Sequence, residues 1–289
     1  MLLTVTELLL SEPPGVRVSP TEHSGIGVLT LAGSSGRVDV DRARLFARHG
    51  ALAESIQWFG GPGQNPGPWE IPIERFRARV VELQRFCDHI LVVGTSFGSE
   101  AAMLTGAYTS GVDAVVAFAP SDVVWAGVIP EGKQTSHWTM DGQPLPYVPF
   151  IEGWHPDSDP PSYKGLYELS HAADPDATEA ATIPVERIPA LILVAGQDDL
   201  VWPSAEQAQA IVDRRARHGL PTTLVLDRAA GHRTILPGEN AVAGGAAIAR
   251  GGSATADRRL GEAAWERIRQ LMDDLAYLRR EGAAGDSVG

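Results

Sequence analysis

Six short runs rich in apolar residues recur along the chain, at 26–32 (IGVLTLA), 55–59 (SIQWF), 89–93 (HILVV), 114–119 (AVVAFA), 189–195 (PALILVA) and 222–226 (TTLVL). Most lack the in–out alternation of a half-exposed strand, which marks strands buried on both faces. Helix-like stretches separate them: DRARLFARHGAL from Asp41, then 71–86, 99–110, 204–218 and 257–280. In 71–86, Ile73, Phe76, Val80, Val81 and Leu83 gather near one face among Arg and Glu. Strands and helices in alternation predict an α/β fold, with a mostly parallel central sheet and helices on both of its faces.

The alternation breaks in two places. GGPGQNPGP at 60–68 is too dense in Gly and Pro for helix or strand and reads as a loop. From about 122 to 182 the chain is rich in Pro, Gly, Trp, His and Tyr without regular periodicity. A stretch of that length inside a domain is usually functional. We expect a single domain over 1–289, with 122–182 a cap-like insertion above the carboxyl ends of the strands, where open α/β sheets bind their ligands. The plainer alternative is that its aromatic residues only pack.

Composition narrows the function. Of 289 residues 44% are apolar, and 36 acidic side chains against 24 basic ones leave a net charge of −12. With no basic run, this balance argues against nucleic acid and against an anionic membrane surface as partners. MLLTVTELLLSEPPG is the only segment resembling a targeting signal, but it has no Lys or Arg and carries Glu7 within its apolar stretch. No apolar run approaches the roughly 18 residues needed to span a bilayer. A lone cysteine, Cys87, can form neither an internal disulfide nor a thiolate cluster, and the expected location is the cytoplasm. His137 and His155 lack the supporting spacing of a metal site, so neither metal nor cofactor is expected. The terminal EGAAGDSVG reads as a disordered tail.

Chemistry enters at Gly94-Thr95-Ser96-Phe97-Gly98, between the strand HILVV and the helix that follows. As a bare string G-x-S-x-G is weak; between a strand and a helix it makes physical sense. A sharp turn flanked by small residues lifts the serine hydroxyl clear of the sheet, at the start of a helix whose free N–H groups favour a developing anion. The competing reading is an ordinary Gly-rich turn with an exposed serine. A nucleophilic serine needs a base and a group that orients the base. Asp198 and Asp199 follow the strand at 189–195, and His232 follows the strand at 222–226, between small residues. The order Ser, Asp, His is that of α/β-hydrolases. Asp199 is favoured as the acid and Asp198 is the alternative. The backbone N–H of Phe97 and that of Ser34, in the loop Gly33-Ser34-Ser35-Gly36, are the expected oxyanion donors. That loop lacks the spacing of a phosphate cradle. His89, His49 and His218 sit at strand or helix ends with structural roles expected, whereas His137, His155 and His171 lie in the insertion, where they could reach substrate.

GTSFGSEAAMLTGAYTSGVDAVVAFAPSDVVWAG, together with GQDDLVWPS, AGHRTILPG, IPIERF from Ile71 and the W-x3-G-x-P-L-P stretch at 138–146, resembles the catalytic domain of acyl-CoA thioesterases and bile acid-CoA:amino acid N-acyltransferases. The likeness runs over about 24–275. It implies an α/β-hydrolase fold and a catalytic triad of Ser96, Asp199 and His232. It further implies hydrolysis of an acyl thioester or ester, the thiol carrier being coenzyme A or a carrier protein, because members that transfer the acyl group tend to use cysteine where this chain has Ser96. Dienelactone-type hydrolases share the framework. Two features depart from the family pattern: only about twenty residues precede the first expected strand, where members commonly carry a β-sandwich domain, and Phe97 stands where many have a polar or basic residue. A basic cluster near the site, involving Arg37, Lys133 or Arg233, would be needed to hold the phosphates of coenzyme A.

Overall fold

The computed structural model describes residues 2–240 and 245–285. The chain opens with a hairpin, β1 (Val5–Ser11) and β2 (Pro14–Pro20), followed by β3 (Ile26–Leu31), α1 (Val40–Arg48) and β4 (Leu52–Ile56). A two-residue β5 (Ile71–Pro72) leads into α2 (Glu74–Leu83), β6 (His89–Thr95), α3 (Phe97–Tyr108) and β7 (Ala114–Phe118). The insertion holds β8 (Ala126–Val128), β9 (Gln134–Ser136), β10 (Trp138–Met140), β11 (Gln143–Pro144), α4 (Lys164–Ala173) and α5 (Pro175–Ala180). Then come β12 (Ala190–Gly196), α6 (Ser204–Arg217), β13 (Thr223–Asp227) and α7 (Ala254–Gly285).

Eight strands form one sheet in the order β1-β2-β4-β3-β6-β7-β12-β13. From β4 to β13 every pairing is parallel, and only β1 with β2 and β2 with β4 run antiparallel. The unbroken apolar runs have a direct explanation in the two faces. Val28, Leu91, Val93 and Val116 join the core under α1 and α7, while their neighbours Leu29, Val92 and Val115 join the core under α2, α3 and α6. Successive side chains of a strand point to opposite faces, so a sheet covered twice needs apolar residues at every position.

Several elements differ from the sequence reading. The N-terminal hairpin was not expected: in β1 only Val5 and Leu10 are partly covered, on opposite faces, and Leu8 and Leu9 are exposed, so its pattern is not that of a core strand. The second expected strand shifts from 55–59 to β4, because Glu54 is wholly buried between Arg17 at 2.7 Å and Arg79 at 2.8 Å and so reads as polar only in isolation. In α2, Ile73, Phe76, Val80 and Leu83 are buried as expected, but Val81 faces solvent. The insertion is not structureless. β8 pairs with β9, β10 bridges β11 and β5, and Val123 pairs with Thr182 at its base. Of the tail 281–289, expected to be disordered, residues to Gly285 continue α7, and 286–289 lie outside the described residues. Among the described residues no helix is long and apolar enough to cross a membrane.

Candidate active site

Three loops at the carboxyl ends of β6, β12 and β13 bring Ser96, Asp199 and His232 together. Ser96 directly follows β6 and caps α3 with φ 57° and ψ −127°, a left-handed backbone that non-glycine residues adopt only at a cost. The turn is held by the Ser96 N–H donating to the Phe118 carbonyl at 2.9 Å and by the Ser99 N–H donating to the Ser96 carbonyl at 2.7 Å. Its glycines have no freedom to be anything else. A Cβ on Gly94 would strike the Gly98 backbone, and one on Gly98 would strike the carbonyls of Leu31 and Ala32 in the adjacent strand. The pentapeptide is therefore a statement about how closely α3 packs on the sheet.

Ser96 Oγ–H donates to His232 Nε2 at 3.0 Å, and His232 Nδ1–H donates to Asp199 Oδ2 at 2.8 Å. All three residues are buried. Asp199 is further oriented by the N–H groups of Val201 at 2.9 Å and Trp202 at 3.3 Å on Oδ1, and by the Ser204 hydroxyl at 2.6 Å on Oδ2. Four donors thus hold its carboxylate in one place. Asp198 points away and accepts the Gly252 N–H at 2.7 Å. The histidine loop is braced from behind, as the His232 N–H donates to the Arg250 carbonyl at 2.8 Å and the Gly231 N–H to Asp257 at 2.9 Å.

The loop 33–36 lies directly beside the serine: a Cβ on Gly33 would sit 3.6 Å from Ser96 Oγ. The Gly36 N–H donates to the Gly33 carbonyl at 2.9 Å and closes this turn, with Ser34 at its exposed tip. Phe97 begins α3, and its ring stacks on His137 at 3.9 Å between centroids and meets the edge of Trp202 at 5.2 Å. Trp202 also abuts His232 at 5.7 Å. These rings join a small separate core formed by Val123, Trp125, Val148, Tyr167, Ala181 and Trp202, through which the insertion covers the serine turn.

Of the insertion histidines, His137 reaches the site, through Phe97. His171 instead faces Asp122 at 3.5 Å, and His155 is exposed. His137 Nδ1–H donates to the Ala126 carbonyl at 2.9 Å, and burial pushes its pKa down to about 4, so the ring is neutral. Outside the insertion, His89 faces Asp113 at 3.2 Å, His49 lies 2.9 Å from the Leu45 carbonyl at the end of α1, and His218 caps α6.

Two residues that sequence reasoning passed over shape the site. Glu100, one turn into α3, is fully buried, accepts from Trp138 Nε1 at 2.9 Å and the Trp125 N–H at 3.3 Å, and burial raises its pKa well above the carboxylate range. Arg42 reaches from α1 to Thr95 Oγ1 at 2.8 Å, pairs with Glu239 at 2.8 and 3.0 Å, and lies over the Phe118 ring. Burial opposes both charges of that pair, and mutual attraction outweighs it, raising the Arg42 pKa and lowering that of Glu239. Arg42 thereby ties the serine strand to the segment after His232. Neither residue belongs to a local motif. The one available signal was an acidic residue in a helix otherwise made of small and apolar side chains.

A parallel sheet with this strand order, a serine on a strained strand-to-helix turn and an Asp–His pair on later strand ends define the α/β-hydrolase class. The fold comparisons agree over nearly the whole chain. A dienelactone hydrolase structure from Klebsiella pneumoniae superposes with a TM-score of 0.53 at 12% identity, over 94% of this chain and 99% of that one. A dienelactone hydrolase-like promiscuous phosphotriesterase from metagenomic libraries gives 0.53 at 14%, over 95% and 99%. No curated protein matches by sequence. The sequence profile of the family described as "BAAT / Acyl-CoA thioester hydrolase C terminal" matches residues 81–275, and the chain belongs to that family.

Proposed function

We propose that this protein is a serine hydrolase that cleaves acyl thioesters through an acyl-enzyme intermediate. The observation that carries the reading is the continuous hydrogen-bonded chain from Asp199 through His232 to a serine held at φ 57°. Membership of a family described by acyl-CoA thioester hydrolysis supports a thioester as the substrate. Ser96 Oγ attacks the thioester carbonyl carbon while His232 Nε2 takes its proton. Asp199 holds the proton on Nδ1 and stabilises the imidazolium. The Phe97 and Ser34 N–H groups receive the oxyanion; one such donor is worth about 2.7–4 kcal/mol in comparable acyl transfer. His232 then protonates the departing thiolate sulfur as the C–S bond breaks. Water, deprotonated by the same imidazole, attacks the acyl-serine and releases the carboxylic acid. The insertion acts as the cap of a single domain, the substrate is a small molecule, free or carrier-bound, and the setting is the cytoplasm.

The test is steady-state hydrolysis of an acyl-CoA panel beside p-nitrophenyl esters of the same acyl groups. Wild type is expected to prefer the thioesters, and Ser96→Ala to lose on the order of 10⁵–10⁶ in kcat while unfolding at the same denaturant midpoint. Preference for oxygen esters would move the enzyme to the carboxylester and dienelactone side of the fold. Release of the acyl group only when an amine or alcohol is added would make it an acyltransferase. Unchanged turnover by Ser96→Ala would remove the serine mechanism.

A further inference from the structure

The outer edge of β1 is open. β1 pairs with β2 residue for residue, from Val5 with Pro20 to Ser11 with Pro14, and among the described residues no strand lies on its other side. The Thr21 N–H donates to the Thr4 carbonyl at 3.0 Å. In the same register Thr6, Leu8 and Leu10 turn their backbone groups to β2, so those of Val5, Glu7, Leu9 and Ser11 point outward. Such a row of donors and acceptors is a template for another strand, and proteins commonly guard it with a proline, a lysine or a bulge. Val5–Ser11 (VTELLLS) has none of the three. Its single charge, Glu7, is already neutralised by Arg44 at 2.6 and 3.0 Å.

The side chains narrow what could cover this edge. Leu9 is 84% exposed and Leu8 58%. They leave the strand on opposite faces, Leu8 with Leu10 toward the core under α2, α3 and α6, and Leu9 with Val5 toward the core under α1 and α7. A helix or a flat surface laid on one face would leave the other leucine in water. A strand added at the edge covers both, since its own side chains alternate between the same two faces. Apolar surface continues from Leu8 across Arg17, its cross-strand partner, to the exposed Phe86 ring, whose centroid lies 4.9 Å from the Arg17 guanidinium.

This edge is complementary to itself. About a two-fold axis through Leu9, perpendicular to the sheet, two antiparallel copies of β1 set Leu9 against Leu9, Leu8 against Leu10 and Glu7 against Ser11. The outward groups of Glu7, Leu9 and Ser11 then meet as hydrogen-bonded pairs, leucine meets leucine on both faces, and no charge directly faces a like charge. We propose that β1 is a homodimer interface, through which two copies of this chain join their sheets edge to edge by an antiparallel β1–β1 pair centred on Leu9. Sedimentation velocity from about 1 to 100 μM, at physiological ionic strength, is expected to show a reversible monomer–dimer equilibrium that closes at the dimer. Leu9→Lys sets two like charges together on the axis. It should raise the dimer dissociation constant by at least about tenfold and unfold at the wild-type denaturant midpoint, since the side chain it replaces is exposed. Leu9→Cys should form an intermolecular disulfide under mild oxidation, because a hydrogen-bonded pair holds its Cα atoms about 5.5 Å apart, within disulfide reach. Leu8→Cys should not, its counterpart being offset by two residues, and wild type, whose Cys87 is buried, supplies the blank. A wild type that stays monomeric throughout would overturn the proposal and leave the edge to a strand of a different partner. Species larger than the dimer, or a dimer unaffected by Leu9→Lys, would overturn it as well. Failure of Leu9→Cys to cross-link, or cross-linking through Leu8→Cys, would overturn the register. Turnover plays no part in these readouts, so the hydrolase reading and the interface stand or fall separately.

Discussion

The serine turn and the buried contact where α3, the insertion and the loop after β12 meet above it treat polar atoms in opposite ways. Below, Ser96, His232 and Asp199 hydrogen-bond one another, and Arg42 meets Glu239, Thr95 and the Thr234 carbonyl. Above, Oε1 of Glu100, Nε2 of His137 and Nε1 of Trp202 have no hydrogen-bond partner among the described residues. A partnered group in low dielectric keeps its charge and fixes geometry, whereas a titratable group short of partners gives up its charge. The lower layer thus keeps its polar groups partnered, and in the upper layer burial shifts Glu100 and His137 each toward the neutral form. Substitutions below should therefore be costly because they strand a partner; substitutions above should change mainly how stability depends on pH.

The sharpest break is expected at the acid. Asp199→Asn should lower kcat about 10⁴-fold by inverting the tautomer of His232, whereas Asp198→Asn should leave kcat near wild type. Equal losses in the two would dissolve the distinction that Asp199 Oδ2 is 2.8 Å from the imidazole. Next, Arg42→Gln should destabilise by about 3–5 kcal/mol in equilibrium denaturation, because it leaves Glu239 buried without its counter-charge. Arg42→Gln/Glu239→Gln should recover much of that loss.

In the upper layer, His137 keeps its proton off in the folded state down to about pH 4, while an unfolded histidine protonates near 6.5. Its contribution is complete above pH 6.5 and is lost as pH falls toward 4, by roughly 3 kcal/mol. His137→Phe, which keeps the stack on Phe97, should flatten the stability profile over that window in denaturant titrations. Glu100 has the opposite sign. Its raised pKa makes its contribution complete below the unfolded value near 4.5 and lost as pH rises through the folded one. Glu100→Gln should accordingly gain more stability relative to wild type at pH 8 than at pH 4. A gain that is the same at both pH values would show that packing, and not ionisation, sets its effect.

Legibility followed the range of the interactions. The strands β3, β6, β7 and β12 could be read because a strand covered on both faces prints its burial as a continuous apolar run, and the half-buried edge strand β13 because its T-L-V-L run is still apolar. The serine turn could be read because two glycines were required within four residues of one another. β1 could not, because an edge strand buries too little to leave a pattern, β2 prints only the short alternation of buried Val16 and Val18 around Arg17, and Glu54 disguised β4 because its partners Arg17 and Arg79 come from distant segments.

The sequence by itself determined the class of the fold, the order in which a serine, an acid and a histidine arrive at strand ends, and the family to which the chain belongs. All of these depend on local periodicity and on turn chemistry. Tertiary structure alone decided that Asp199 and not Asp198 faces His232, that His137 backs Phe97, and that Arg42 clamps Glu239 from 197 residues away. The reason is physical: which way a side chain leaves a loop, and what it meets, depends on surfaces contributed by other parts of the chain, which no local window contains.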